Sequence, residues 1–284
     1  MNIAIVGATG NVGRKMLEVL EQKKLPIDQL YLVASARTAG QKISFKNKDY
    51  EVLNLETYDF SKAEITFFAA GGKISEQYAE KAAKHTTIID NASFFRMDPE
   101  VPLIVPQVNP KEIDNLKKNI IANPNCSTAQ LVLVLKPLHD EFKIKRVILS
   151  TYQSVSGGGK APMDELIEQT KLSLDKKKIN SKNFTKQIAF NAIPHIDSFA
   201  DDGYTKEELK MVNETKKILD KKIELSATCV RIPVIVSHAE AVNIEFKKPF
   251  SLEKVRSLLN DASGCKIYDE RKDGGYMTPK EAEG

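Results

Sequence analysis

Asn2-Ile3-Ala4-Ile5-Val6-Gly7-Ala8-Thr9-Gly10-Asn11-Val12-Gly13 decides how the chain begins to fold. Five residues suited to a buried strand end in glycines at positions 7, 10 and 13. A helical pattern follows, which places Val12, Met16, Val19 and Leu20 on roughly one face. Strand, glycine turn and helix in this order predict the opening of a dinucleotide-binding βαβ unit. Glycine lets the turn adopt conformations closed to other residues and lets backbone approach a pyrophosphate. The helix N-terminus supplies N–H donors and a positive dipole end. Gly7, Thr9, Gly10, Asn11, Val12 and Gly13 are therefore candidate cofactor-binding residues. After the next strand, expected at 29–34, the chain reads Ser35-Ala36-Arg37-Thr38. There is no carboxylate to repel a ribose 2′-phosphate, and Ser35, Arg37 and Thr38 offer a cation and two hydroxyls to hold one. The cofactor expected is NADP(H).

Further along, a short hairpin pattern surrounds Asn47-Lys48-Asp49. It is followed by strand 65–69, helix 75–84 and strand 87–90. This β-α alternation predicts an α/β fold with a Rossmann-type, doubly wound parallel sheet. The first domain is expected to span 1–127. The rest, 128–284, reads as a mixed α+β domain for catalysis and dimerisation. Its expected parts are a long strand at 146–154, helices at 163–174 and 205–219, long strands at 225–236 and 239–246, a helix at 252–260 and a closing strand at 266–268. Ser237-His238 reads as a turn or bulge between two antiparallel strands.

Composition excludes several classes of function. The 284 residues are 42% hydrophobic and 28% charged, and no apolar run approaches the length of a membrane span. The N-terminus opens directly on a strand pattern, without the charged and apolar regions of a signal peptide, which points to the cytoplasm. A net charge of +4, no Trp and scattered lysines give no basic, aromatic-lined stripe for nucleic acid. Three cysteines lie far apart, so neither a metal cluster nor a disulfide framework is expected. Cys126 remains as the candidate nucleophile, with Cys229 and Cys265 as core residues.

Cys126 sits in Asn123-Pro124-Asn125-Cys126-Ser127-Thr128, after an apolar strand pattern and before a long helical one. A thiol at a helix mouth gains anion stabilisation from the dipole and nearby N–H groups. The same groups, with Asn125, suit the oxyanion of a tetrahedral intermediate. His238 is the expected base, because an imidazole titrates near neutrality and can take a thiol proton and return one. His195, beside a proline and apolar residues, reads as structural, and His139 as an exposed helix-end residue. Arg231 stands on a strand between apolar neighbours, where an unmatched charge is costly, and its planar fork suits a carboxylate. Lys210 follows Glu207 by one helical turn on the same face, the spacing also of an ordinary surface ion pair. Gly157-Gly158-Gly159 reads equally as a close approach to a nicotinamide, centred on Gly158, or as a plain turn.

Six stretches then occur in order: Gly7–Gly13, Asn123–Thr128, Thr151–Gly157, Ile193–Asp197, Glu207–Lys210 and Cys229–Pro233. Together they closely resemble the bacterial aspartate-β-semialdehyde dehydrogenases, over the whole of the chain. The resemblance implies a two-domain fold like that of glyceraldehyde-3-phosphate dehydrogenase. It implies NADPH-dependent reductive dephosphorylation of L-aspartyl-4-phosphate through a cysteine thioester, on the route to lysine (by way of diaminopimelate), threonine and methionine. It implies that Arg231 binds the substrate α-carboxylate, Glu207 the amino group, and Lys210 and Arg96 the phosphate. It also implies that Gln153 positions substrate beside Cys126, that His238 is catalytic, and that the chain forms a homodimer. Two other readings are an N-acetyl-γ-glutamyl-phosphate reductase and a non-catalytic NADP-binding sensor. The first usually has Gly where this chain has Asn125, and its acylated substrate has no charged amine for Glu207. The second has no need of Cys126, Gln153, Arg231 and His238 together. Family members normally continue several dozen residues past Gly284, with a further strand of the substrate domain and a final helix, so the resemblance also implies a shortened chain.

Overall fold

The computed structural model describes residues 1–283, and its contacts divide the chain into two compact units. The first comprises Met1–Ile104 and Asn109–Pro124. Its strands are β1 (Asn2–Val6), β2 (Gln29–Ala34), β3 (Lys42–Phe45), β4 (Lys48–Asn54), β5 (Ile65–Phe68), β6 (Thr87–Asp90) and β7 (Ile120–Ala122). They form one sheet in the order β3-β4-β2-β1-β5-β6-β7. All its pairings are parallel except the β3–β4 hairpin. The expected doubly wound sheet is therefore present, with the order reversing at β1. Open α/β sheets bind ligands at such a switch point, beyond the strand ends. Helices α1 (Asn11–Gln22) and α2 (Gly72–Ala82) supply two of the crossovers.

The buried face of α1 differs from the one expected. Gly13, Leu17 and Leu20 are buried, whereas Val12 and Val19 are exposed and Met16 only half-buried. The close approach of Gly13 to the glycine turn sets the helix's rotation and brings Leu17 and Leu20, one and two turns on, to the sheet. They join Ile3, Ile5, Leu30 and Leu32 in the core.

The second unit comprises Val105–Val108 and the chain from Asn125 onward. Of the domain expected at 128–284, the last residue, Gly284, lies outside the described residues. Its sheet contains β8 (Ile144–Gln153), β9 (Glu224–Arg231) and β10 (His238–Phe246). The helices are α3 (Cys126–Phe142), α4 (Lys160–Leu174), α5 (Lys206–Ile218) and α6 (Leu252–Asp261). Pro137 lies inside α3, which runs on through it. Thr205 caps α5 through a reciprocal box with Glu208. Leu131, Leu135, Val147, Leu149, Met211 and Ala227 form the core between α3, α5 and the sheet.

Two sequence expectations fail here. The strands on either side of Ser237-His238 do not pair with each other. The order is β10-β8-β9, with β9 parallel and β10 antiparallel to β8. The long strand β8 is central, with a partner on each side, so residues 232–237 carry the chain across its end instead of turning a hairpin, and the strand expected to reach 236 stops at Arg231. The closing strand expected at 266–268 is also absent: that stretch is irregular among the described residues.

Candidate active site

The register of the smaller sheet builds one half of the site. Gln153 pairs with His238 on one side and with Arg231 on the other. Paired residues project to the same face of a sheet. Arg231, Gln153 and His238 therefore stand in one row across three strand ends, although they come from parts of the chain up to 85 residues apart.

The start of α3 meets that row. Asn125 is its N-cap, and its Oδ1 accepts the N–H groups of Ser127 (2.9 Å) and Thr128 (3.4 Å). The Asn125 backbone N–H donates to Glu214 Oε2 (2.6 Å), which fixes the turn. Cys126 is then the first helical residue, and its Sγ lies 3.1 Å from His238 Nε2. Cys126 and His238, chosen separately in sequence, are thus a contacting pair. Two of the helix-end N–H groups expected to serve an oxyanion are already taken by Asn125.

The Cys126 side chain is open to solvent, but protein crowds its sulfur. That crowding, together with the Glu207 carboxylate, raises the thiol pKa, while the Ser127 N–H and Arg231 pull the other way. Cys126 therefore rests as a thiol, and the helix mouth alone does not produce a thiolate. Burial also lowers the His238 pKa, so the ring is neutral at physiological pH.

Helix α5 contributes the charges. Glu207 is buried, and its Oε1 accepts Gln153 Nε2 and Asn125 Nδ2, each at 2.9 Å. Lys210 Nζ donates to Glu207 Oε2 (3.0 Å) and to Asp197 Oδ2 (2.9 Å). Burial pushes the Glu207 carboxyl up, but Lys210, Gln153 and Asn125 outweigh it and hold the group below the usual carboxylate range. Gln153 is held at both ends, since its Oε1 accepts the Thr151 hydroxyl at 2.8 Å. Arg231 Nη1 donates to the Ser154 carbonyl at 2.6 Å, and among the described residues no carboxylate forms an ion pair with it. A half-buried guanidinium with no carboxylate in ion-pair contact is suited to receive an anion from a ligand.

In the first unit, the glycine turn is built for close approach. Gly7 has φ +87°, and a Cβ there would meet the Ala69 backbone at 2.8 Å. A Cβ on Gly13 would lie 2.3 Å from the Gly7 carbonyl oxygen. Gly10 caps α1 without a side-chain hydrogen bond, and Thr9, Asn11 and Val12 line the same turn. Ser35 and Arg37 are exposed just past β2, with the Thr38 hydroxyl turned to the Ser35 carbonyl at 3.3 Å. These residues fit a dinucleotide whose ribose carries a phosphate. Arg96 is also in this unit, after β6, where its Nη2 donates to the Asn91 carbonyl at 2.9 Å.

Gly158 has a packing role: a Cβ there would strike Pro162 at 2.8 Å. His195 stacks on Phe199 with ring centroids 4.3 Å apart. His139 is buried, not exposed: its Nδ1 accepts the Ile144 N–H and its Nε2 faces Asp220. Cys229 is buried as expected, and Cys265 is half-buried against Leu133.

Sequence reasoning overlooked three supports: Asp197, Glu214 and Ser154. Glu214 lies seven residues after Glu207, which is two turns along one face of α5, and that spacing was a usable signal. Asp197 ends a motif already singled out by its histidine. Nothing local marks Ser154, whose role depends on the strand order.

The family model described as "Semialdehyde dehydrogenase, NAD binding domain" matches residues 2–116, and "Semialdehyde dehydrogenase, dimerisation domain" matches 135–284. The aspartate-semialdehyde dehydrogenase of Aquifex aeolicus is 50% identical over 99% of this chain and 84% of that relative. That of Helicobacter pylori is 46% identical over 99% of this chain and 85% of its own. Among solved structures, aspartate semialdehyde dehydrogenase II of Vibrio cholerae complexed with ASA is 46% identical. It superposes with a TM-score of 0.96 over 100% of this chain and 84% of that one. The Candida albicans enzyme with NADP is 26% identical, with a TM-score of 0.68 over 92% of this chain and 76% of that one. With both domain models matched and a relative 50% identical over 99% of the chain, the chain belongs to the aspartate-semialdehyde dehydrogenase family.

Proposed function

We propose that this protein catalyses the NADPH-dependent reductive dephosphorylation of L-aspartyl-4-phosphate to L-aspartate 4-semialdehyde, in amino-acid biosynthesis. The observation that carries the reading is the 3.1 Å Cys126–His238 contact beside Arg231, Glu207 and Lys210. A thiol attacks the acyl phosphate, phosphate departs, and the acyl group is held on sulfur as a thioester. NADPH, when bound, supplies the hydride. The residues of this chain orient and discriminate. Arg231 receives the α-carboxylate on the donors not committed to Ser154. Glu207 faces the ammonium, with Gln153 and Asn125 fixing its orientation. Lys210 and Arg96 answer the phosphate. A ligand with two anionic ends and one ammonium matches that charge pattern, and an acylated amine does not.

The Gly7–Gly13 turn takes the pyrophosphate, and Ser35, Arg37 and Thr38 take the 2′-phosphate. The enzyme works in the cytoplasm as a homodimer. The outer face of the small sheet, where Ile148 and Tyr152 are exposed, is the surface that pairs two copies, in keeping with the dimerisation-domain match. Among the described residues no helix is long and apolar enough to cross a membrane.

The test runs the reaction in reverse: aspartate semialdehyde, phosphate and NADP⁺ are mixed with protein, and NADPH absorbance is followed. Turnover is expected, with Cys126→Ala abolishing it while retaining NADP binding. Turnover on N-acetylglutamate semialdehyde and none on aspartate semialdehyde would refute the substrate assignment.

A further inference from the structure

Asp90 ends β6 fully buried, and no step described above uses it. A buried carboxylate is costly unless its oxygens are met by donors. Its Oδ1 accepts the Ser75 hydroxyl of α2 at 2.9 Å and the Ala92 backbone N–H at 2.8 Å. Its Oδ2 has no hydrogen-bond partner among the described residues. Burial raises the Asp90 pKa, while the Ala92 and Ser75 bonds and the charge of Arg96 pull it down.

The bond to Ala92 gives this carboxylate a task. The Ala92 N–H and the Asn91 carbonyl belong to one planar peptide unit and point to opposite sides of it. The Asn91 carbonyl accepts Arg96 Nη2 at 2.9 Å. One rigid plane is thus gripped by Asp90 on one edge and by Arg96 on the other. An anionic acceptor on the N–H also polarises the peptide, which strengthens its carbonyl as an acceptor for Arg96. The neighbouring backbone is pinned separately. The Asn91 N–H donates to the Phe68 carbonyl (2.9 Å), the Asn123 N–H to the Asp90 carbonyl (2.8 Å), and Asn123 Nδ2 to Asn91 Oδ1 (2.7 Å). None of these three bonds touches the Asn91–Ala92 plane itself.

We infer that Asp90 is a positioning residue: by holding the Ala92 N–H it sets the Asn91 carbonyl that orients Arg96, and through Arg96 it governs how tightly the phosphate end of the substrate is bound. The inference rests on the reading of Arg96 as a phosphate ligand. Arg96 is itself buried, so its guanidinium has little room to recover a lost orientation. Asp90 touches no substrate atom in this role and leaves the carboxylate and ammonium ends to Arg231 and Glu207.

Kinetics in the reverse direction, with phosphate, aspartate semialdehyde and NADP⁺, give the KM for each ligand separately. Asp90→Ala should raise the KM for phosphate about tenfold, the scale of a lost hydrogen bond to a charged group, and leave that for aspartate semialdehyde unchanged. Asp90→Val, of similar shape to Asp, takes its place if the alanine variant does not fold. Asp90→Asn keeps an acceptor at Oδ1 and puts its NH2 where Oδ2 has no partner, so it should restore most of the phosphate affinity. In an Arg96→Gln background the Asp90 substitution should add nothing, because it acts only through Arg96. Equal rises in both KM values, an Asp90→Asn variant as impaired as Asp90→Ala, or an undiminished effect in the Arg96→Gln background would overturn the inference. A phosphate KM moved by Arg96→Gln but by neither Asp90→Ala nor Asp90→Val would overturn the Asp90 role alone. One that Arg96→Gln itself leaves unmoved would remove the Arg96 assignment and the Asp90 role with it.

Discussion

At the scale of single residues, Glu207 has two opposed effects. In the proposed function it offers a carboxylate to the substrate amine, and in the structure it raises the pKa of the Cys126 thiol, second only to the crowding around the sulfur. Replacing it by Gln keeps the acceptor for Gln153 and Asn125 while removing the charge. Glu207→Gln should therefore alkylate faster at Cys126 with iodoacetamide at neutral pH, by several-fold, yet turn over more slowly because the ammonium loses its partner. A variant slower in both would contradict the electrostatic account. Arg231 has a separable role. Its fork uses Nη1 on the Ser154 carbonyl and leaves further donors for a carboxylate, an arrangement a lysine cannot reproduce. Arg231→Lys should raise KM for aspartate semialdehyde about tenfold or more, in line with loss of a bidentate charged pair, and leave the Kd for NADP unchanged. Equal losses in both would indicate a disturbed fold. In the first unit, Gly13→Ala should abolish NADP binding, because its methyl group would meet the Gly7 carbonyl at 2.3 Å; calorimetric titration with NADP checks it.

At the scale of elements, α3 and β10 meet on two rungs. Four residues of helix rise about 6 Å and two residues of strand about 6.7 Å. Gln130 is one turn beyond Cys126, and Glu240 is two residues beyond His238. The second rung is a hydrogen bond from Gln130 Nε2 to Glu240 Oε1 at 2.7 Å. Burial raises the Glu240 pKa from 4.5 to about 7. The folded state therefore binds a proton that the unfolded chain releases, and the stability this gives is full below 4.5 and is lost as pH rises through about 7. Glu240→Gln should raise Tm at pH 8.5 and leave it nearly unchanged at pH 4.5. Destabilisation at both pH values by thermal scanning would contradict this reading. Much of the first unit was legible in the sequence, because each parallel strand, turn and helix is a local pattern with its own period. The small sheet was not. Its strands were found, but β9 and β10 are neighbours in sequence and not in space, and only their pairing to β8 sets Arg231, Gln153 and His238 in a row. The rotation of α1 was missed because the contact that sets it is a glycine's, which carries no hydrophobic signal. Asn125, expected to assist the reaction, has structural duties that the sequence did not show: its amide caps α3 and holds Glu207.

At the scale of the whole molecule, one unit carries a turn shaped for a dinucleotide, and the other carries a thiol, an imidazole and a set of charges. In the second unit the buried Gln153 and Asn125 side chains hydrogen-bond to Glu207, and Glu214 fixes the turn that precedes Cys126. The arrangement makes sense if the acyl group is transferred to sulfur before it is reduced, and this covalent step is the central claim. It is tested most directly by mixing the protein with aspartate semialdehyde and NADP⁺ in the absence of phosphate, following NADPH, and digesting the quenched protein for mass spectrometry. The account predicts a burst approaching one NADPH per active chain and an aspartyl adduct on the peptide containing Cys126, both lost in Cys126→Ala. A Cys126→Ala variant that still gives the burst, or an adduct on any other residue, would contradict it.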